Sequence, residues 1–215
     1  MSTDNNPVDT AIALLSHRLS SKRRSGAKRL RKLGVMRAGE ALLAALRNEL
    51  QDARTWETQY QMIMALGECG YQPALPFLEE LIDVPFDATM IYVAVGDALF
   101  RLSSPLDKQL VALEKLISRG NADVADGAVR ALAMLRLVPP QGTIEKLLTY
   151  VEGLPRHKRM TSNRRLWVTA AAPGWLDISP RVRPFLEDCA TSENTGLADA
   201  ASKAVQGKYS KWNPL

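Results

Sequence analysis

Between residues 10 and 39 the chain carries nine lysines and arginines (Arg18, Lys22, Arg23, Arg24, Lys28, Arg29, Arg31, Lys32 and Arg37) and no acidic residue. At 100° per residue, Ala27, Leu30, Leu33 and Gly34 gather on one arc of a helix, with Arg24, Lys28, Arg31 and Lys32 on the opposite one. Clustered cations of this kind attract phosphate or protein carboxylates and steer their approach. The same pattern also describes an ordinary solvated helix face, so the two readings stand side by side. A second cluster, Arg156, Lys158, Arg159, Arg164 and Arg165, occupies residues 153–176, again without a carboxylate. It reads either as a binding loop or as a plain polar connection. Between the clusters, residues 40–152 hold 16 acidic side chains against nine basic ones, so the net charge of +5 hides a basic, acidic, basic striping.

Catalytic chemistry finds little to work with. The two histidines, His17 and His157, are far apart, and His17 sits beside Arg18, a neighbour that repels cations. Gly67 and Gly70 bracket a helix end and do not form a phosphate-cradling loop. Glu79-Glu80 and Glu187-Asp188 are adjacent pairs, which point apart on a helix and so serve as solubilising faces. No catalytic residue, metal site, cofactor or small-molecule substrate is therefore expected. Trp56, opening a helix after Thr55, and Trp167, inside one, read as packing anchors. Trp175, after Pro173-Gly174, and Trp212, in the tail, are the candidates for exposed aromatic contacts.

The elements that must carry these residues repeat. Lys32-Leu33, Ala65-Leu66, Ala98-Leu99 and Ala131-Leu132 recur at a step of 33, the signature of stacked helical pairs. After each copy comes an apolar cluster at helical spacing, for example Leu42, Leu43, Leu46 and Leu50, or Ile144, Leu147, Leu148 and Val151. Breakers divide each pair: Gly34, Gly70 with Pro73, Pro105, and Pro139-Pro140. The fifth copy is displaced, because Arg164-Arg165 stand where it is due and the small-apolar helix end comes at Ala170 to Ala172. That places an insertion in or just before residues 155–163, and outgrown repeat loops are often where binding is added. Ser179-Pro180 then starts a helix whose inner face is Val182, Phe185, Leu186 and Cys189, and an alanine-rich segment from Thr195 to Gln206 closes the array.

The run Ala65-Leu66-Gly67-Glu68-Cys69-Gly70-Tyr71-Gln72-Pro73-Ala74-Leu75-Pro76-Phe77-Leu78 resembles a short HEAT-like repeat of the kind first described in phycobilisome lyases. The resemblance covers roughly residues 22–206 and is strongest in the second unit. It implies an all-α fold, an α-α superhelix of about five helical pairs plus a capping helix. The domain reading is one repeat domain over 1–215, with a short segment at 1–9, repeats over about 10–206 and a tail at 207–215. In such a stack the second helices line the inner wall, which would display Glu40, Arg47, Glu79, Glu80, Lys108, Lys115, Lys146, Arg181 and Arg183. HEAT-like arrays serve as scaffolds, inhibitors, lyases and DNA glycosylases, so the resemblance fixes no activity.

Composition narrows the classes. Aromatic content is 6%, low for a sheet protein. The longest apolar stretches, such as Val8 to Leu15, are too short to cross a bilayer and are interrupted by Asp9, so no membrane partner is expected. The first residues lack the basic start of a secretory leader, and Cys69 and Cys189 have no paired spacing, which points to buried thiols in a cytoplasmic protein. The expected function is a non-catalytic protein-binding module: a scaffold, an adaptor or an inhibitor, an immunity-type protein included. The alternative is a nucleic-acid-binding HEAT-like protein using the basic N-terminal helix, related in fold to HEAT-like DNA glycosylases. The binding residues expected in either case are Arg24, Lys28, Arg31, Lys32, Arg156, Lys158, Arg159, Arg164 and Arg165, with Trp175 and Trp212 as aromatic contacts.

Overall fold

Helices form at the expected places because apolar residues recur at 3–4 spacing and glycine or proline interrupts them. The computed structural model describes residues 6–154 and 164–211, and among these all regular structure is helical. In chain order the α-helices are α1 (Pro7–Leu14), α2 (Ser20–Leu33), α3 (Gly39–Glu49), α4 (Trp56–Glu68), α5 (Leu75–Glu80), α6 (Met90–Leu102), α7 (Leu106–Ser118) and α8 (Ala122–Met134). They continue with α9 (Gln141–Glu152), α10 (Arg165–Ala171), α11 (Val182–Ala190) and α12 (Thr195–Val205). Gly34, Gly70, Pro105 and Pro139-Pro140 all fall between helices, and Pro73 lies in the 3-10 turn Gln72–Ala74 that leads into α5. The chain divides into two compact units, Met1–Ala128 and Val129–Leu215, the division lying inside α8.

In the first unit α4 lies between α2 and α6, while α3 covers α4, α7 packs on α6, and α1 packs on α2. This explains why α4 is buried without a break from Thr58 to Gly67 and why Ala65-Leu66 and Ala98-Leu99 are core residues. The first copy of the repeated pair behaves differently. Lys32 and Leu33 are both exposed, and α2 instead buries Gly26, Ala27, Leu30 and Arg31. Close helix crossings use glycine. A Cβ on Gly67 would stand 2.7 Å from Ala98 Cα, and one on Gly26 would stand 2.8 Å from the Ala11 carbonyl oxygen. Where α6 meets α8, Gly96 lies against the Val124 carbonyl and Gly127 against the Val93 carbonyl, with no room for a Cβ on either.

Helix ends are closed by left-handed residues. Gly70 (φ 68°) lets Tyr71 N–H bond the Leu66 carbonyl at 3.3 Å. Arg136 (φ 51°) does the same for Leu137 and Leu132 at 3.1 Å. In the second unit, α9 buries Ile144, Leu147, Leu148 and Val151, and α11 buries Val182, Phe185, Leu186 and Cys189. The alanine-rich α12 packs on α10 and α11, and its start is capped by Asn194, whose side chain accepts from Leu197 N–H at 2.9 Å. Among the described residues no helix is long and apolar enough to cross a membrane.

Candidate functional site

The basic helix α2 has three flanks with different chemistry. Its inner flank, Gly26, Ala27 and Leu30, is buried against its neighbours. A second flank faces carboxylates. Arg23 donates Nε to Glu49 Oε2 at 2.5 Å and Nη2 to Oε1 at 2.8 Å, and Ser20 Oγ donates to the same Oε1 at 2.8 Å. Arg24 pairs with Glu57. Arg31 donates Nε to Glu68 at 2.9 Å and Nη1 to Gln61 at 3.2 Å. The third flank carries Lys22, Lys28, Arg29 and Lys32, all exposed, with the Ser21 and Ser25 hydroxyls among them. Among the described residues none of those four cations has an ion-pair or hydrogen-bond partner. Arg31 and Lys32 in the last turn also suit the negative end of the helix dipole.

Two of the expected binding residues are therefore corrected. Arg31 is 9% exposed and Arg24 is half-buried, so neither belongs to an open cationic face. Their partners Glu57 and Glu68 sit on α4, one repeat further along the chain, where a wheel drawn on α2 alone cannot place them. Lys28 and Lys32 remain on the open face, joined by Lys22 and Arg29. A sequence signal for the pairing exists, since Glu57 follows Arg24 at the repeat step of 33. At the ends of this face stand exposed apolar side chains: Leu19 before the helix, 47% exposed, Leu33 in its last turn, 42%, and Met36 just after it, 63%.

Of the second basic cluster only Arg164 and Arg165 are described, and neither is exposed. Arg156, Lys158 and Arg159 lie outside the described residues, as does Trp212. Arg164 is half-buried. Arg165 is buried, donating Nη1 to Asp188 at 2.7 Å with its guanidinium over the Phe185 ring, so it ties α10 to α11. Beside it an open groove of about 520 Å³ is lined by Arg165, Phe185, Asp188, Arg181 and Glu152. Arg181 reaches Glu152 at 2.6 Å and Thr149 at 3.0 Å, which leaves the groove walls electrically balanced.

The tryptophans exchange roles. Trp175 is fully buried and donates Nε1 to the Leu137 carbonyl at 3.0 Å, because the 3-10 turn Ala172–Trp175 folds it inward; it is not an exposed contact. Trp56 is 38% exposed and is not the packing anchor its position implies. Trp167 is half-buried with the Arg130 guanidinium over its ring. Of the expected inner-wall residues, Glu40, Arg47, Glu79, Glu80, Lys108, Lys115, Lys146 and Arg183 are exposed and Arg181 is half-buried. Several are engaged locally: Glu79 with Lys115 at 3.2 Å, and Arg47 over the Phe77 ring.

Nucleophiles are withdrawn. Cys69 and Cys189 are free and buried, and burial pushes the Cys69 thiol up to about 11 and that of Cys189 upward as well. His17 accepts from Leu19 N–H through Nδ1 at 3.0 Å. Among the described residues no group of three or more His, Cys, Asp or Glu is placed to hold a metal ion.

No protein-family profile and no curated protein matches this chain. Among solved structures, a crystal structure of an engineered protein is similar at 17% identity, covering 94% of this chain and 98% of that one, with a TM-score of 0.47. The functional reading accordingly rests on this chain's own side chains.

Proposed function

We propose that the chain is a non-catalytic protein-binding module built on short HEAT-like repeats, an α-α superhelix of about five helical pairs plus a capping helix, acting in the cytoplasm as a scaffold, adaptor or inhibitor. One observation carries the reading: α2 pairs Arg23, Arg24 and Arg31 with carboxylates of α3 and α4, but Lys22, Lys28, Arg29 and Lys32 stay exposed with no carboxylate partner among the described residues. Folding uses the first set. The second set adds self-repulsion within one helix, which an acidic partner would relieve.

The experiment is capture from native lysate with wild type and with Lys22→Glu, Lys28→Glu, Arg29→Glu and Lys32→Glu combined. A stoichiometric protein retained by wild type and lost on reversal supports the module; loss of nothing on reversal removes this face from the reading. The same exposed cations favour a nucleic-acid-binding reading. There, affinity for a duplex would fall about a hundredfold between 50 and 200 mM salt if all four engage phosphates.

A further inference from the structure

Beyond being basic, the open flank of α2 is bounded by apolar side chains. Leu33 lies in the last turn beside Arg29 and Lys22 on the wheel, and Met36 follows after the left-handed Gly34. Single exposed apolar residues are ordinary on protein surfaces. Leu33 stands next to Lys32 and one turn from Arg29, and Met36 follows the same helix end, on a helix whose four exposed cations have no carboxylate partner among the described residues. Charges with an apolar anchor at one end match the make-up of protein interfaces, where a desolvated apolar contact sits beside a polar rim.

Resting on the protein-binding reading, we infer that this face receives an acidic, amphipathic segment of a partner protein. Its carboxylates lie along Lys22, Lys28, Arg29 and Lys32, and an apolar side chain seats against Leu33 and Met36. Lys22 and Lys32 are ten helical steps apart, a span of about 15 Å, which matches roughly three turns of an acidic helix. A phosphate backbone would meet the cations but would leave Leu33 and Met36 in water. The exposed apolar residues at the ends of this face, Leu19, Leu33 and Met36, are not aromatic, so base stacking finds no platform among them.

The test uses the full chain and three labelled probes, read by fluorescence anisotropy: a short glutamate-rich helical peptide with a leucine pair at one end, made in both orders; the same peptides with alanine for leucine; and a short DNA duplex. The expected result is binding of a leucine-bearing peptide, weakened about tenfold by Leu33→Ala with Met36→Ala and lost on reversal of the four cations. Unchanged thermal midpoints certify the variants as folded, and glutamine in place of the four cations provides a milder second set. If the alanine peptides bind as tightly as the leucine ones, the apolar anchor is overturned while the protein-binding reading stands. If the duplex is preferred and the Leu33→Ala, Met36→Ala variant binds it unchanged, both readings fall. If no probe binds, the inference falls.

Discussion

Glu49, the last residue of α3, accepts two hydrogen bonds from the Arg23 guanidinium of α2 at 2.5 and 2.8 Å while 4% exposed. Burial pushes this carboxyl upward, but the bonds from Arg23 and Ser20 outweigh it and hold the group below its ordinary value. A carboxylate lowered in the folded state adds stability that is complete above the unfolded value of about 4.3 and disappears as pH falls through the folded one. The urea midpoint should therefore decline on acidification below about pH 4. Glu49→Gln should cost about 3 kcal/mol at neutral pH, because Arg23 loses its counter-charge, and should flatten the acid limb.

Arg31 and Lys32 are neighbours with opposite expected behaviour. Arg31→Glu sets a like charge against Glu68 in a site that is 9% exposed and should cost more than about 3 kcal/mol in denaturant titration. Lys32→Glu, on the open flank, should stay within about 0.5 kcal/mol of wild type. Equal effects would contradict the division of the helix into paired and open flanks.

Gly96 and Gly127 let α6 and α8 cross with backbone nearly on backbone. Alanine at either position drives a methyl group into a carbonyl oxygen that cannot rotate away. Each substitution should lower stability by about 1–3 kcal/mol or more. Gly142, around which a Cβ meets nothing within 4 Å, is the control and should accept alanine with no loss.

Trp175→Phe leaves the Leu137 carbonyl without its donor inside the second unit. A loss of about 1–3 kcal/mol is expected, together with the disappearance of a blue-shifted emission component that acrylamide does not quench. Trp56→Phe should instead remove a quenchable component and leave the unfolding midpoint near wild type.

With its thiol at about 11, Cys69 is roughly one part in a thousand thiolate at pH 8 and is shielded by burial. Modification by a thiol reagent should proceed only as fast as the chain opens, and should become rapid in denaturant. Fast reaction of the folded chain would contradict the packing of Cys69 under the Leu30 carbonyl, 3.7 Å from its sulfur.

Much of the fold was legible because it depends on local periodicity. The buried stripes Ile144, Leu147, Leu148, Val151 and Val182, Phe185, Leu186, Cys189 follow from 3–4 spacing, and glycine and proline marked the breaks. The candidate face was legible only in part. That α2 is basic is a statement about one helix, whereas which of its cations are spent on Glu49, Glu57 and Glu68 depends on neighbours brought alongside by the fold. Trp175 escaped for the same kind of reason: Pro173-Gly174 reads as an exposed turn, yet the turn is wound into a 3-10 helix that buries the indole.

The flanks of α2 also set what can drift in such a protein over generations. Replacing Lys22, Lys28, Arg29 or Lys32 leaves the internal ion pairs intact, so under the proposed function partner preference would be rewritten by a handful of codon changes while the fold holds its shape. A lineage diversifying its targets would accumulate variation along that outer edge and stay quiet at Arg23, Arg31 and Glu49.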